Sequence, residues 1–175
     1  ASGHSMPQGS TLRLGQSPTT LFQAGERISE RYSIRRFIAR GGMGEVYEAE
    51  DLELRQVVAL KTVHPRDAAH EIAIERFKRE IHLARKVTHA NVCRIYDVGY
   101  HARADGTSVI YLTMEFLEGE TLASRLRREG PLSPAESLPI ARQMIAALSA
   151  AHAAGVIHRD FKSENVYLVP GPDGS

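Results

Sequence analysis

A short polar stretch, His158 to Asn165, holds the residue types in this chain that are most suited to chemistry. Asp160 brings a carboxylate, Lys162 an ammonium group and Asn165 a carboxamide. The stretch follows a long helical pattern and precedes a short apolar run, so it is predicted to be a loop between two rigid elements. Phosphoryl transfer requires these groups together: a carboxylate for the incoming hydroxyl, a cation for the phosphoryl group and an amide oxygen for magnesium.

A glycine-rich turn lies far upstream, between two strand-like segments at 32–40 and 45–50. Gly41, Gly42 and Gly44 fall in this turn, and glycines let backbone N–H groups approach a bound phosphate closely. A glycine hairpin in isolation is more often a simple turn. The sequence contains no G-x-x-x-x-G-K-[ST] motif, which excludes the commonest alternative phosphate cradle.

Lys61 ends the apolar run 57–60, a pattern typical of a buried strand. An ammonium group inside a protein needs a charged partner. The segment 70–87 has apolar residues at helical spacing, and Glu80 borders its apolar stripe. We therefore predict an ion pair between Lys61 and Glu80; the alternative is a lysine that extends to water from the end of its strand.

The order of these segments resembles the protein kinase family, and bacterial serine/threonine kinases in particular. The loop resembles the catalytic motif H-R-D-L-x-x-x-N, with Phe161 in place of Leu. The glycine turn resembles G-x-G-x-x-G-x-V, with Ala39 in place of the first glycine, and Lys61 ends a strand similar to V-A-I-K. The resemblance covers about Tyr32 to Val169.

The resemblance implies an α+β, protein-kinase-like fold, in which a five-stranded antiparallel sheet with one helix forms the N-lobe. The first helices of a mainly helical C-lobe follow. Residues 1–28 are expected to be a tag remnant and flexible leader, 29–117 the N-lobe and hinge, and 118–175 a partial C-lobe. Cap and stop residues predict a long helix at 133–154, weakened or kinked in its first turns by Pro139.

The resemblance also implies roles for individual residues, with ATP and Mg²⁺ as cofactors and a protein as substrate. Asp160 would orient or accept the substrate hydroxyl proton, Lys162 would neutralise the γ-phosphate, and Asn165 would bind magnesium. Lys61, paired with Glu80, would hold the α- and β-phosphates. The nucleotide-binding residues implied in this way are Ile38, Ala39, Gly41, Gly42, Gly44, Val46, Ala59, Lys61, Met114, Glu115, Leu117 and Tyr167.

Composition restricts the remaining possibilities. The formal net charge is +1, so no global field favours nucleic acid or a membrane surface. The single cysteine, Cys93, excludes an internal disulfide and lies in an apolar run, where a buried, inert thiol is expected. No apolar stretch reaches the length of a membrane span, and a cytoplasmic location is expected.

The 175 residues contain no D-F-G motif after Asn165. In kinases that motif supplies a second magnesium ligand, so we expect a truncated domain with little or no activity. The alternative is a non-catalytic, pseudokinase-like module that binds a nucleotide or a partner. Without later helices to cover it, the helix at 133–154 would expose apolar side chains, which predicts self-association through that face.

Overall fold

The computed structural model describes residues 20–41, 44–63, 79 and 81–171. Within them, six strands form one antiparallel sheet in the order β1-β2-β3-β4-β6-β5. The strands are β1 Arg27–Ile28, β2 Tyr32–Gly41, β3 Gly44–Asp51, β4 Gln56–Val63, β5 Ile95–Ala102 and β6 Ser108–Glu115. The five predicted strands are present, and the two-residue β1 adds a sixth at the edge.

Side-chain alternation along the strands gives this sheet two different faces. On one face, Tyr47, Val58 and Leu60 are at most 1% exposed. That face carries the apolar core, which consists of Phe22, Ile28, Tyr32, Ile34, Tyr47, Ala49, Val58, Leu60, Val109 and Tyr111. Val46 and Lys61 have the opposite parity in β3 and β4 and therefore lie on the other face.

The segment 20–28 covers the core face, which corrects the predicted leader that ended at residue 28. Phe22 is 1% exposed and Ile28 is fully buried, and the Phe22 ring lies 5.6 Å from the ring of Tyr47. Each such side chain contributes about 1.5–3 kcal/mol when it leaves water. The polar composition of the leader concealed these two apolar positions, and the packed fold begins before residue 28.

A helical segment lies between β4 and β5, and its described residues are 79 and 81–84. Ile81 is 6% exposed, and Val87 in the following connection is 8% exposed. The burial of Ile81 agrees with the predicted apolar stripe of an amphipathic helix. Glu80 lies outside the described residues.

Two helices follow the sheet, α1 Leu122–Glu129 and α2 Pro134–Ala153. Ser133 caps α2: its side chain accepts from the N–H of Glu136, whose carboxylate accepts from the N–H of Ser133 at 2.9 Å. This capping box confirms the predicted helix start. The helix continues through Pro139, so the predicted weakening does not interrupt it.

A closed C-terminal cap ends α2 and directs the chain into the polar loop. Gly155 has a φ of 74°, and its N–H donates to the carbonyl of His152. The N–H of Val156 donates to the carbonyl of Ala151 at 2.9 Å. These two bonds form a Schellman motif, in which the left-handed residue is usually glycine.

A two-stranded sheet then returns the chain to the segment that follows β6. Its strands are β7 Glu120–Thr121 and β8 Tyr167–Leu168. A Cβ atom at Gly119 would lie 2.1 Å from the carbonyl oxygen of Leu168, so only glycine allows this approach. The polar loop, including a 3₁₀ turn at Ser163–Asn165, is therefore held between α2 and β8.

Candidate active site

The loop between α2 and β8 brings its three polar groups together. The amide nitrogen of Asn165 donates to the backbone oxygen of Asp160 at 2.8 Å and to its Oδ2 at 3.1 Å. The Nζ of Lys162 lies 3.0 Å from Oδ1 of Asp160. Because Asn165 uses its nitrogen in these bonds, its amide oxygen points away from Asp160, and an oxygen ligand of this kind suits magnesium.

Asp160 is held in its ionised form. The hydrogen bond from Lys162 is the main cause that lowers the pKa of this carboxyl below its ordinary value, and Asn165 adds to it. The side chain is 49% exposed, so a substrate hydroxyl can reach it. An accessible carboxylate that is ionised at neutral pH can orient such a hydroxyl and accept its proton.

The backbone of the loop has an unusual conformation at the same place. Arg159 has a φ of 60°, in the left-handed region that non-glycine residues seldom adopt. His158 and Phe161 flank this residue in the sequence, and their rings pack edge to face with centroids 5.3 Å apart. Strained backbone of this kind concentrates at functional sites, where neighbouring contacts hold it in place.

The sheet face opposite the core carries the predicted nucleotide residues in two adjacent rows. In the first row Ala39 is the direct partner of Val46, and Val46 is the direct partner of Lys61. In the second row Ala59 is the partner of Met114. Directly paired residues of antiparallel strands project from the same face, so these five predicted residues are neighbours.

Gly41 and Gly44 form the last pair before the hairpin tip, while Gly42 lies outside the described residues. Gly44 has a φ of 147°, and a Cβ there would lie 1.9 Å from the carbonyl oxygen of Thr62. Close packing of β3 on β4 thus requires glycine at this position. At Gly41 no described atom lies within 4 Å of the Cβ position, so none of the described residues covers its backbone.

The predicted hinge begins at the end of β6. The N–H of Glu115 donates to the carbonyl of Arg94 at 2.8 Å, and the carbonyl of Glu115 is approached by the Cys93 thiol at 3.7 Å. Both backbone groups of Glu115 therefore have a partner in this structure, and the carbonyl oxygen keeps a second lone pair as an acceptor. Burial raises the pKa of the Cys93 thiol to about 11, which disfavours the reactive thiolate, and the side chain is half-buried where full burial was expected.

The other predicted residues lie outside these two rows. Ile38 falls in a register shift of β2 between Phe37 and Ala39, and such bulges redirect side chains. Leu117 is half-buried in the connection from β6 to β7. Tyr167 is 44% exposed and pairs through β8 with the strand that follows this connection.

Two predictions about charges are not tested by the described residues. Glu80 lies outside them, so its ion pair with Lys61 stays a prediction. Among the described residues, no group of three His, Cys, Asp or Glu side chains could hold a metal ion by itself. Magnesium at Asn165 would therefore need further oxygen ligands, such as the phosphates of a nucleotide.

A surface pocket of about 380 Å³ lies elsewhere, at the starts of β4 and β5. Charged residues of both signs line it, among them Arg31, Asp51, Arg85 and Asp97. None of the predicted nucleotide-binding or catalytic residues lines this pocket, so it is not the candidate active site.

Two polar residues beside the glycine hairpin are buried, which the sequence pattern was not used to predict. Glu45 is 3% exposed and Thr62 is fully buried, and the N–H of Glu45 donates to the Thr62 hydroxyl at 2.9 Å. A signal was present: Glu45 has the same strand parity as Tyr47 and Ala49, which face the core.

A model of the protein kinase domain matches residues 32–172 of the chain. The chain belongs to the protein kinase family. The serine/threonine-protein kinase PrkC of Bacillus subtilis (strain 168) is 40% identical over 144 residues, which are 82% of this chain and 22% of that protein. The serine/threonine-protein kinase PknD of Mycobacterium tuberculosis (strain ATCC 25618 / H37Rv) is 41% identical over 137 residues, 78% of this chain and 20% of that protein.

Solved kinase structures agree with the fold. A crystal structure of the Mycobacterium tuberculosis PknI kinase domain has a TM-score of 0.72 at 28% identity, covering 86% of this chain and 59% of that one. The kinase chain thus spans about a fifth of the curated relatives and part of a solved kinase domain. None of its described helices is both long and apolar enough to cross a membrane.

Proposed function

We propose that this kinase chain binds ATP with magnesium and that, within a longer kinase, it takes part in phosphoryl transfer to serine or threonine side chains of a protein. The observation that carries the proposal is the shared sheet face. Ala39, Val46 and Lys61 in one row, and Ala59 and Met114 in the next, lie opposite the packed core. An apolar surface beside a lysine suits a purine base attached to phosphates.

Each group has a defined task in this proposal. Lys61 contacts the α- and β-phosphates, and the open backbone at Gly41 lies over the phosphate chain. Asp160 accepts the proton of the substrate hydroxyl, and Lys162 neutralises charge on the γ-phosphate. Asn165 offers its amide oxygen to magnesium, which supplies further charge neutralisation when bound.

We propose that the 175-residue polypeptide alone transfers phosphate slowly or not at all. It contains no D-F-G motif, whose carboxylate holds magnesium in the family. Phosphoryl transfer depends almost entirely on positioning and charge stabilisation, so the lack of one charged ligand has a large effect on rate. Binding of nucleotide and transfer of phosphate are therefore expected to be separable in this polypeptide.

Calorimetric titration with ATP, in the presence and absence of Mg²⁺, tests the binding proposal. Lys61→Met should weaken ATP binding at least about tenfold, since one charge-assisted contact is worth that much. Lys86→Met, an exposed lysine beyond the helical segment, should leave it unchanged. A folded wild-type chain that binds no ATP, or equal effects of the two substitutions, would overturn the proposal and favour a partner-binding module.

A phosphate-transfer assay tests the second part. The wild-type polypeptide should label a generic protein substrate no faster than Asp160→Asn does. Magnesium-dependent labelling by the wild-type chain that Asp160→Asn abolishes would show that the polypeptide is an active kinase, contrary to the proposal.

We also propose that the polypeptide self-associates through α2. Leu138 and Ile145 are 53% and 63% exposed, and no residue of the helix is buried. Sedimentation should show concentration-dependent dimers that Ile145→Glu abolishes, while Gln143→Glu, exposed on the other side of the helix, leaves them intact. A monomer at all concentrations contradicts this proposal. The cytoplasmic location stays a prediction.

A further inference from the structure

A buried carboxylate at the base of the glycine hairpin connects three parts of the fold. Glu45 accepts at Oε1 from the guanidinium of Arg40, whose Nε lies 2.8 Å away. At Oε2 it accepts from the N–H of Leu21 at 2.8 Å and from the hydroxyl of Tyr47. The Tyr47 hydroxyl in turn accepts from the N–H of Phe22 at 3.0 Å.

The charge on Glu45 is maintained by these donors. Burial disfavours the ionised form, but the hydrogen bonds from Tyr47, Leu21 and Arg40 together outweigh it and hold the pKa of this carboxyl below its ordinary value. A buried carboxylate is tolerated only where such bonds compensate for lost water. Glu45 therefore depends on all three partners, and each of them is held in place by it.

Because Glu45 lies next to the hairpin tip, its hydrogen bonds also affect the position of the tip. Arg40 and Glu45 are the pair immediately below Gly41 and Gly44, the last pair before the tip. Glycines have no side chains with which to fix their own position, so the tip depends on the strands below it. Glu45 joins one of those strands to the other, and both to the segment at 20–22.

The same residue also fixes the hairpin to the strand that carries Lys61. The N–H of Glu45 donates to the hydroxyl of Thr62, the residue next to Lys61 in β4. The network lies on the core face, and Lys61 points to the opposite face. The side chain of Glu45 therefore acts on the hairpin from the face opposite Lys61, and its network contains no group that faces the proposed nucleotide.

We propose that Glu45 is a positioning residue for the glycine hairpin and that the segment at 20–22 acts through it on phosphate binding. The proposal rests on the ATP-binding function above. It predicts different effects of Glu45 on the two parts of the nucleotide. The phosphates lie under the hairpin and depend on Glu45, whereas adenosine lies against Ala59 and Met114 and does not.

Glu45→Gln is the most direct test because it leaves one side-chain oxygen where the carboxylate has two. The carboxylate gives one oxygen to Arg40 and the other to Leu21 and Tyr47, but a carboxamide has a single oxygen and an NH₂ donor. One set of donors therefore loses its acceptor. Glu50→Gln is the matched control, since Glu50 lies in the same strand and its Oε2 pairs with Arg35 at 3.1 Å, far from the tip.

The first readout is calorimetric affinity for ATP and for adenosine in both variants of the full chain. Glu45→Gln should weaken ATP binding about tenfold, a usual size for the coupling between a positioning residue and a separate binding site, and leave adenosine binding within about twofold. Glu50→Gln should leave both ligands unchanged. Equal losses for ATP and adenosine in Glu45→Gln, or no loss for either, would overturn the proposal.

Amide hydrogen exchange gives a second readout that needs no nucleotide. In Glu45→Gln the amides of 40–41 and 44–46 should exchange about tenfold faster, while those of Val58 and Leu60 keep their rates. Exchange that rises evenly across the sheet, or not at all, would show that Glu45 does not position the hairpin. If the wild-type chain binds neither ligand, the proposed function fails while this exchange result still decides the role of Glu45.

A second variant covers the case in which Glu45→Gln does not fold. Arg40→Gln removes the same ion pair from a side chain that is 40% exposed, so it opens no cavity in the apolar core. It should also accelerate exchange in the hairpin and weaken ATP binding more than adenosine binding. Unchanged exchange and affinity in folded Arg40→Gln would overturn the proposal as well.

Discussion

Gly44→Ala should destabilise the fold strongly, whereas Gly41→Ala should not. The two glycines form one pair of the same hairpin, so the chemical change and the local sequence are matched. At Gly44 the φ of 147° is one that L side chains rarely adopt, and the new Cβ would lie 1.9 Å from the carbonyl oxygen of Thr62. At Gly41 the new methyl group would meet no described atom within 4 Å.

The magnitude follows from two separate costs. A non-glycine residue in a sparsely populated backbone region costs about 1–3 kcal/mol. Overpacking adds about 1–3 kcal/mol, because β3 must move away from β4 to relieve the contact. Together these give about 2–6 kcal/mol for Gly44→Ala, a large part of the typical stability of a small domain of about 5–15 kcal/mol. Gly41→Ala should change stability by less than about 0.5 kcal/mol.

Urea unfolding followed by circular dichroism measures both effects, and ATP titration adds a functional comparison. Gly41→Ala should keep its unfolding midpoint while it weakens ATP binding, since its methyl group enters the space proposed for phosphates. Gly44→Ala should unfold at a much lower urea concentration or fail to fold. Equal midpoints for the two variants would refute the register of β3 against β4 on which the site depends.

Three further substitutions test other parts of the structure. Phe22→Ala should cost about 3–5 kcal/mol of unfolding free energy, against about 1–2 kcal/mol for Phe37→Ala, which is 40% exposed; equal urea midpoints would show that Phe22 does not belong to the core. Burial opposes ionisation of Asp51, but hydrogen bonds, led by that from Arg31, lower the pKa of this carboxyl in the folded chain. Ionised Asp51 therefore stabilises the fold above its unfolded pKa of about 4, and this stabilisation is lost as the pH falls through the folded value. Asp51→Asn should therefore flatten the decline in the urea midpoint at acid pH, and an unaltered decline would contradict this. Gly119→Ala should separate β7 from β8 and raise amide exchange in both; unchanged exchange would show that the 2.1 Å approach is not required.

Local signals in the sequence were sufficient for the elements whose ends are marked by residues close in the chain. Ser133 and Glu136 predict the start of α2 because a capping box is formed by residues that are close in the chain. Gly155 predicts its end for a similar reason. The catalytic loop was also recognisable, because Asp160 and Asn165 bond within one short segment.

The signals were insufficient where a residue's environment comes from distant parts of the chain. The residues from Asn91 to Tyr100 have a strand-like pattern that predicts one strand, but the strand begins at Ile95. The preceding residues form a turn, and Asn91 bonds to Gln143 in α2 at 2.8 Å. The burial of Phe22 and Glu45 likewise depends on contacts across the sheet. Strand periodicity places a side chain on one face or the other, but it does not say what covers that face.

Methyl NMR decides whether nucleotide binds on the sheet face opposite the core. The spectrum of the methyl-labelled chain is recorded with increasing MgATP. Large shift changes are expected at Val46, Ala59 and Met114, and little change at Val58 and Leu60, which point to the core. Changes confined to Val58 and Leu60, or none in any of the five residues at saturating MgATP, would contradict it.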